Sequence, residues 1–139
     1  MELIRRNSDY AFRILVYMAG FPQGKIFSVK AIAKKENMPI AFLRKILQRL
    51  SLNKIVDTQR GPQGLYYLLR RAQEISIGEI LESVQGRISL SDCILENNLC
   101  SRRDSCRIKQ GLSTIQKKLK NLLDGYTLRD FLADEKNYP

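Results

Sequence analysis

The chain of 139 residues contains no histidine and no tryptophan. Without histidine the most common general base of enzymes is missing, and so is the most usual fourth ligand of a three-cysteine metal site. The sequence also has no G-x-G-x-x-G string, no phosphate-binding loop and no recognisable pair of carboxylates. These absences argue against an enzyme, and we expect neither catalysis nor a small-molecule substrate.

Long apolar runs are also absent. No stretch approaches the roughly 18 apolar residues that a membrane-spanning helix needs, and residues 1–8 lack the basic-then-apolar order of a signal peptide. The three cysteines are an odd number, which argues against a secreted disulfide framework. We therefore expect a cytoplasmic protein without a membrane partner, formed by one domain or by a small domain with an appendage.

Positive charge is confined to the first half of the chain. Residues 1–72 hold 14 Lys and Arg against 4 Asp and Glu, a net charge of +10, whereas residues 73–139 hold 10 of each and are neutral. A basic half beside a neutral half favours a nucleic-acid-binding module joined to a second unit. A solvated basic face that aids solubility is the alternative.

Helical periodicity dominates the basic half. It predicts a first helix that begins at a cap, Asn7 or Ser8, and ends at about Ala19. A short helix over residues 29–36, capped by Ser28, follows. A third helix begins at residue 39 or 40 and has four apolar positions at helical spacing: Leu43, Ile46, Leu47 and Leu50. This arrangement is typical of a helix-turn-helix, although an ordinary helical hairpin has the same pattern.

A β-hairpin is predicted directly after these helices. Residues 54–58 and 65–69 have strand character, and the Gly- and Pro-containing turn between them carries Arg60. A helix-turn-helix followed by a hairpin is a winged helix, in which the third helix enters the major groove and the arginine lies along the minor groove. We assign Arg44 and Lys45 to base edges. The full predicted DNA interface is Ser28, Pro39, Ala41, Arg44, Lys45, Gln48, Arg60, Gly61 and Gln63.

The neutral half begins with a capping-box pattern, Ser76 with Glu79, which predicts a fourth helix that ends at Gly86. A long amphipathic helix over about residues 105–123 follows, with one apolar stripe: Leu112, Ile115, Leu119, Leu122 and Leu123. We expect this stripe to bury against its copy in a homodimer; packing on its own domain is the alternative. The predicted fold is mainly α with a small β-hairpin wing, with domains at residues 1–75 and 76–139.

All three cysteines, Cys93, Cys100 and Cys106, lie within 14 residues of a polar segment between the fourth helix and the long helix. Three close thiols can bind a metal or a cluster, react as redox thiols, or serve no special role. Arg102, Arg103 and Arg107 flank them and suit any reactive thiolate.

Three parts of the chain resemble the Rrf-type winged helix-turn-helix transcriptional regulators, which include iron–sulfur regulators of the IscR, NsrR and RirA type. The strings are SDYAFRIL at residues 8–15, RGPQGLYYLL at residues 60–69, and the three-cysteine segment. The resemblance implies a homodimer crossed through the long helix. It also implies that Cys93, Cys100 and Cys106 ligate an iron–sulfur cluster, for which we expect 2Fe–2S rather than 4Fe–4S.

The chain departs from the family pattern at two points. Six residues separate the first two cysteines where many members have five, and Lys109 replaces a histidine that acts as a ligand in one branch. Clusters usually take four protein ligands. By its resemblance to the nitric-oxide-sensing branch, Asp9 of the opposite subunit is our choice for the fourth; Asp92, Glu96 and Asp104 are local competitors, and an ordinary acidic residue in a first helical turn is the alternative for Asp9.

The functional hypothesis is a DNA-binding regulator, acting as a repressor at a near-palindromic operator. Its affinity is controlled by a cluster that senses nitric oxide, redox state or iron supply. The alternative keeps DNA binding without a cluster, with control through zinc, thiol oxidation or a partner protein.

Overall fold

The computed structural model describes residues 2–59, 64–91, 94, 101–102 and 104–132. The helices are α1 (Arg6–Ala19), α2 (Val29–Glu36), α3 (Ile40–Leu52), α4 (Ile77–Gln85) and α5 (Arg107–Gly125), and the strands are β1 (Phe27–Ser28), β2 (Val56–Gln59) and β3 (Leu65–Leu68). Short 3₁₀ turns occupy Ala72–Glu74 and Leu128–Phe131. The predicted fold class, mainly α with a small hairpin wing, is confirmed. Within the described residues, no helix combines the length and apolarity required for a transmembrane span.

The first helix begins earlier than predicted. Arg5 is the residue at its N-cap and forms no side-chain cap hydrogen bond, so the predicted cap at Asn7 or Ser8 is wrong. Ser8 lies inside the helix and is fully buried. Its hydroxyl donates to Gln85 Oε1 of α4 at 2.6 Å. A buried hydroxyl needs a hydrogen-bond partner, and Ser8 finds it in a neighbouring helix.

The two helices of the predicted helix-turn-helix are present. The Ser28 hydroxyl accepts the Ala31 N–H at 3.1 Å, as an N-cap does. The second helix ends at Asn37, which adopts the left-handed conformation with φ of 50°. The four apolar positions predicted for α3 are all buried, which fixes the rotation of this helix about its axis.

The hairpin is part of a three-stranded antiparallel sheet in the order β1-β3-β2. Its two long strands pair from Val56 opposite Leu68 to Gln59 opposite Leu65. The strand β1 pairs with β3, with Phe27 opposite Tyr66. It was not predicted, because a strand of two residues is too short to give a periodic signal. The sheet edge leads directly into the N-terminus of α2 and so ties the wing to the helix-turn-helix.

The fourth helix joins the core of the basic half. Its residues Ile80, Leu81 and Val84 are buried in one cluster with residues of α1 and α3. The predicted cap at Ser76 is confirmed, since its hydroxyl accepts the Glu79 N–H at 3.1 Å. No structural observation tests the predicted domain division between residues 75 and 76.

The Glu79 carboxylate makes an ion pair instead of closing a capping box. Arg70 at the end of the wing donates to both oxygens of Glu79 and to the Lys54 carbonyl. Arg70 is therefore bound within the fold.

The long helix crosses α4 at close range. A Cβ atom added at Gly78 would meet the carboxylate of Asp124, which shows how closely the two helices approach at this crossing. The helix begins two residues later than predicted and includes Gly125 as its last residue. In the final turn, the Thr127 N–H donates to the Asp130 carboxylate at 2.8 Å, and Leu128 is buried.

Candidate functional site

The outer face of α3 is polar and accessible. Because the inner face is buried, the side chains of Arg44, Lys45 and Gln48 project away from the core and are exposed. Pro39 and Ala41, at the start of the helix, are also exposed. A face with two cationic side chains and one amide can donate hydrogen bonds to base edges or to phosphates.

Arg49 is different from its basic neighbours in α3. Its guanidinium donates to the carbonyl of Val84, in the last turn of α4. Arg49 therefore connects α3, the helix that is predicted to recognise DNA, to α4.

The other predicted DNA contacts divide into two groups. Ser28 is present at the N-terminus of α2, where its side-chain oxygen caps the helix. Arg60, Gly61 and Gln63 lie outside the described residues. No observation tests the DNA-contact assignments, which remain predictions.

Asp9 lies in the first turn of α1, with its carboxylate exposed to solvent. Arg13, one turn later, donates from Nε to Asp9 Oδ2 at 3.0 Å. This hydrogen bond is the main reason that the pKa of Arg13 is raised above its ordinary value. The described partner of the Asp9 carboxylate is thus a surface arginine of the same helix.

The cysteine segment is described only in part. Cys93 and Cys100 lie outside the described residues, as do Asp92 and Glu96. Cys106 is half-buried and occupies the N-cap position of α5, and Asp104 is exposed. Among the described residues, no three His, Cys, Asp or Glu side chains form a metal-binding group. The predicted ligand set therefore stays a prediction.

The apolar residues of α5 face two directions. Leu119 and Leu123 pack against the core of their own chain, and Leu112 is half-buried. On another face, Ile108, Ile115 and Leu122 are 71%, 54% and 58% exposed and recur every seven residues. The predicted dimer stripe thus includes both inward and outward residues, and its role in dimerisation is not tested.

The sequence did not predict that two glutamines, Gln116 and Gln85, bind backbone groups in other parts of the chain. The carboxamide of Gln116 in α5 accepts the Leu90 N–H at 2.8 Å and donates to the Ile88 carbonyl. Gln85 likewise accepts the Arg5 N–H at 3.1 Å and donates to the Leu3 carbonyl at 2.8 Å. The available signal for Gln116 was its position among apolar residues, four after Leu112 and three before Leu119.

Comparison with known proteins gives a consistent result. The model of the Rrf2 family, described as an iron-dependent transcriptional regulator, matches residues 4–134. The HTH-type transcriptional regulator NsrR of Halalkalibacterium halodurans is 31% identical over 129 residues, which is 92% of this chain and 88% of that protein.

Two solved structures have the same fold. The global cysteine regulator CymR of B. subtilis has a TM-score of 0.70 and 25% identity, over 95% of this chain and 97% of that one. The oxidized form of Staphylococcus aureus CymR has a TM-score of 0.70 and 21% identity, over 100% and 98%. Because the family match extends over nearly the whole chain and agrees with the winged-helix fold, this chain belongs to the Rrf2 family of transcriptional regulators.

Proposed function

We propose that the chain acts as a homodimeric repressor whose affinity for operator DNA is set by an iron–sulfur cluster. The ligands are Cys93, Cys100 and Cys106 of one subunit and Asp9 of the other. The observation that carries DNA recognition is the orientation of α3, which is fixed by four buried residues and turns its basic face outward. Two such helices, related by a dimer axis, suit half-sites about one helical turn apart.

The cluster proposal is supported by the donor chemistry and by the family. Three thiolates and a carboxylate suit iron, whose clusters are held mainly by cysteine. The family is described as iron-dependent. Asp9 is exposed at the start of α1, where a second subunit can reach it. A bound cluster supplies reactivity towards oxidants and nitric oxide, and its loss would release Asp9 from the cysteine segment of the partner subunit.

The decisive test is anaerobic reconstitution with iron and sulfide, followed by visible spectroscopy and measurement of operator affinity. We expect charge-transfer absorption and a difference in affinity between the cluster-loaded and cluster-free protein. A colourless product, or equal affinities, would contradict the cluster proposal and leave the regulator assignment intact.

The fourth ligand has a sharper test. Asp9→Asn should weaken cluster retention, whereas Arg13→Gln removes the ion-pair partner but keeps the carboxylate and serves as the matched control. A heterodimer of a Cys106→Ala chain and an Asp9→Asn chain keeps one complete site only if Asp9 acts across the dimer. Equal cluster retention in Asp9→Asn and wild type would refute the assignment.

A second candidate is regulation by thiol oxidation without a cluster. The observation in its favour is the full-length structural likeness to a CymR that was solved in an oxidized form. Protein purified without oxygen would then contain no iron or labile sulfide, and oxidation of its thiols would change operator affinity. Zinc in place of iron would indicate a structural metal instead.

A further inference from the structure

A glutamine of α5 binds the backbone of the segment that leads from α4 towards the cysteines. Gln116 of α5 donates to the carbonyl of Ile88 and accepts the N–H of Leu90. A single carboxamide thus replaces the partner strand that an extended segment would otherwise need. Leu90 lies three residues before Cys93, so this contact fixes where the chain leaves the core and enters the cysteine segment.

The same segment begins at a crowded junction. Val84 and Gln85 form the last turn of α4, and the helix ends at Gly86, two residues before Ile88. The Val84 carbonyl accepts a hydrogen bond from Arg49 of the recognition helix. Gln85 accepts from Ser8, the residue next to Asp9. The last turn of α4 therefore contacts both α3 and the first turn of α1.

These contacts form a continuous connection between α5 and α3. It runs from Gln116 to the extended segment at Ile88, through the end of α4, and then to Arg49. Each link is a hydrogen bond to backbone or a short covalent step, so α5 and α3 are connected through the end of α4.

We propose that Gln116 is a positioning residue that couples the state of the cysteine segment to the orientation of the recognition helix. The inference rests on the proposed function, because it requires a signal received at the cysteines. When the conformation of the cysteine segment changes, the Gln116 carboxamide keeps Ile88 and Leu90 attached to α5, and the displacement then shifts the end of α4. By linkage, DNA bound at α3 acts back on the same contact.

The first test compares operator affinity before and after anaerobic reconstitution with iron and sulfide. The probe is a duplex selected from a random pool by the wild-type protein. For the Gln116→Ala variant, we expect the ratio of the higher to the lower of these two affinities to be smaller than in the wild type by roughly fivefold to 25-fold. This difference corresponds to the loss of one or two ordinary hydrogen bonds. Gln110→Ala, which alters an exposed glutamine of the same helix, is the matched control and should keep the wild-type ratio.

Gln116→Glu guards against a folding defect in the alanine variant. The carboxylate keeps an acceptor for the Leu90 N–H but cannot donate to the Ile88 carbonyl, so its ratio should also fall. Wild-type ratios in both variants would overturn the proposal. If wild type itself shows no difference on reconstitution, the cluster proposal fails instead, and the coupling is judged by hydrogen exchange alone.

Hydrogen exchange tests the coupling without any cluster. Addition of the selected duplex to the wild-type protein should slow exchange at the Leu90 amide, although this amide lies in a different element from α3. In Arg49→Ala, which breaks the link between α3 and α4, the duplex should no longer slow it. Unchanged exchange at Leu90 on DNA binding to wild type would show that Gln116 has only a local structural role.

Discussion

Replacement of Ile115 by alanine should weaken the proposed homodimer without unfolding the subunit. Ile115 is 54% exposed and lies seven residues from Ile108 and from Leu122 on the outward face of α5. A seven-residue repeat of apolar side chains is the pattern by which helices pair. Ile115 is not among the residues that pack against the core of the chain, so its removal should act mainly on association.

The magnitude follows from the exposed fraction. Full burial of an isoleucine side chain stabilises by about 1.5–3 kcal/mol, and the exposed half of Ile115 therefore accounts for about 0.8–1.6 kcal/mol per subunit. A symmetric interface counts the residue twice, which gives about 1.6–3.2 kcal/mol or roughly a 10- to 200-fold increase in the dimer dissociation constant.

Sedimentation equilibrium measures this constant, and circular dichroism reports the fold. Leu52→Ala is the matched control, because Leu52 is 81% exposed at the end of α3, away from the α5 face. Leu119→Ala should instead lower the thermal stability of the subunit, since Leu119 packs on its own core. A dissociation constant unchanged by Ile115→Ala, or raised equally by Leu52→Ala, would refute the assignment of this face to dimerisation.

Three further outcomes are expected. Arg44→Ala should cost about 1–3 kcal/mol of operator binding and relax specificity at one base pair, as measured by binding to single-base operator variants; uniform weakening across sequences would assign Arg44 to phosphate. Ser8→Ala should lower the free energy of unfolding in urea by about 0.5–1.5 kcal/mol, because Gln85 Oε1 loses one of its two donors and keeps only the Arg5 N–H. The pKa of Glu74 is lowered, mainly by the Arg71 backbone N–H, so its small contribution to stability should be present above the ordinary glutamate pKa and lost as pH falls through the lowered value; a carboxylate NMR titration at or above the ordinary pKa would contradict this.

The winged-helix fold could be predicted because its signals are local. The spacing of Leu43, Ile46, Leu47 and Leu50 identifies the buried face of α3, and that face alone determines which side chains point outward. Ser28 is recognisable as a cap because its partner, Ala31, lies three residues away. Short-range periodicity and capping therefore predict the elements and the exposed basic face together.

Hydrogen bonds between distant elements could not be predicted in the same way. Ser8 looks like a cap by residue type, but its partner Gln85 is 77 residues away. Gln116 looks like a solvated side chain, but it binds backbone 26 and 28 residues earlier. Each of these side chains provides a hydrogen-bond partner for a buried or half-buried polar group. Which group lies within reach is decided only when α4 packs against α1 and the segment after α4 packs against α5.

The first turn of α1 combines a fixed residue with an available one. Ser8 is fully buried and bonded to α4, so the backbone of this turn cannot shift without the loss of a buried hydrogen bond. Asp9, the next residue, is exposed and paired only with exposed Arg13 in the described structure, and a surface ion pair of this kind is weak. If the Asp9 carboxylate binds a metal, only this weak ion pair has to break, and the hydrogen bond of Ser8 keeps the backbone at Asp9 in place.

Because the first turn of α1 is rigid, we expect a displacement of Asp9 to shift Gln85 and the end of α4, where Arg49 binds the recognition helix, α3. Any signal that acts at Asp9 and any signal that acts through Gln116 thus converge on the last turn of α4.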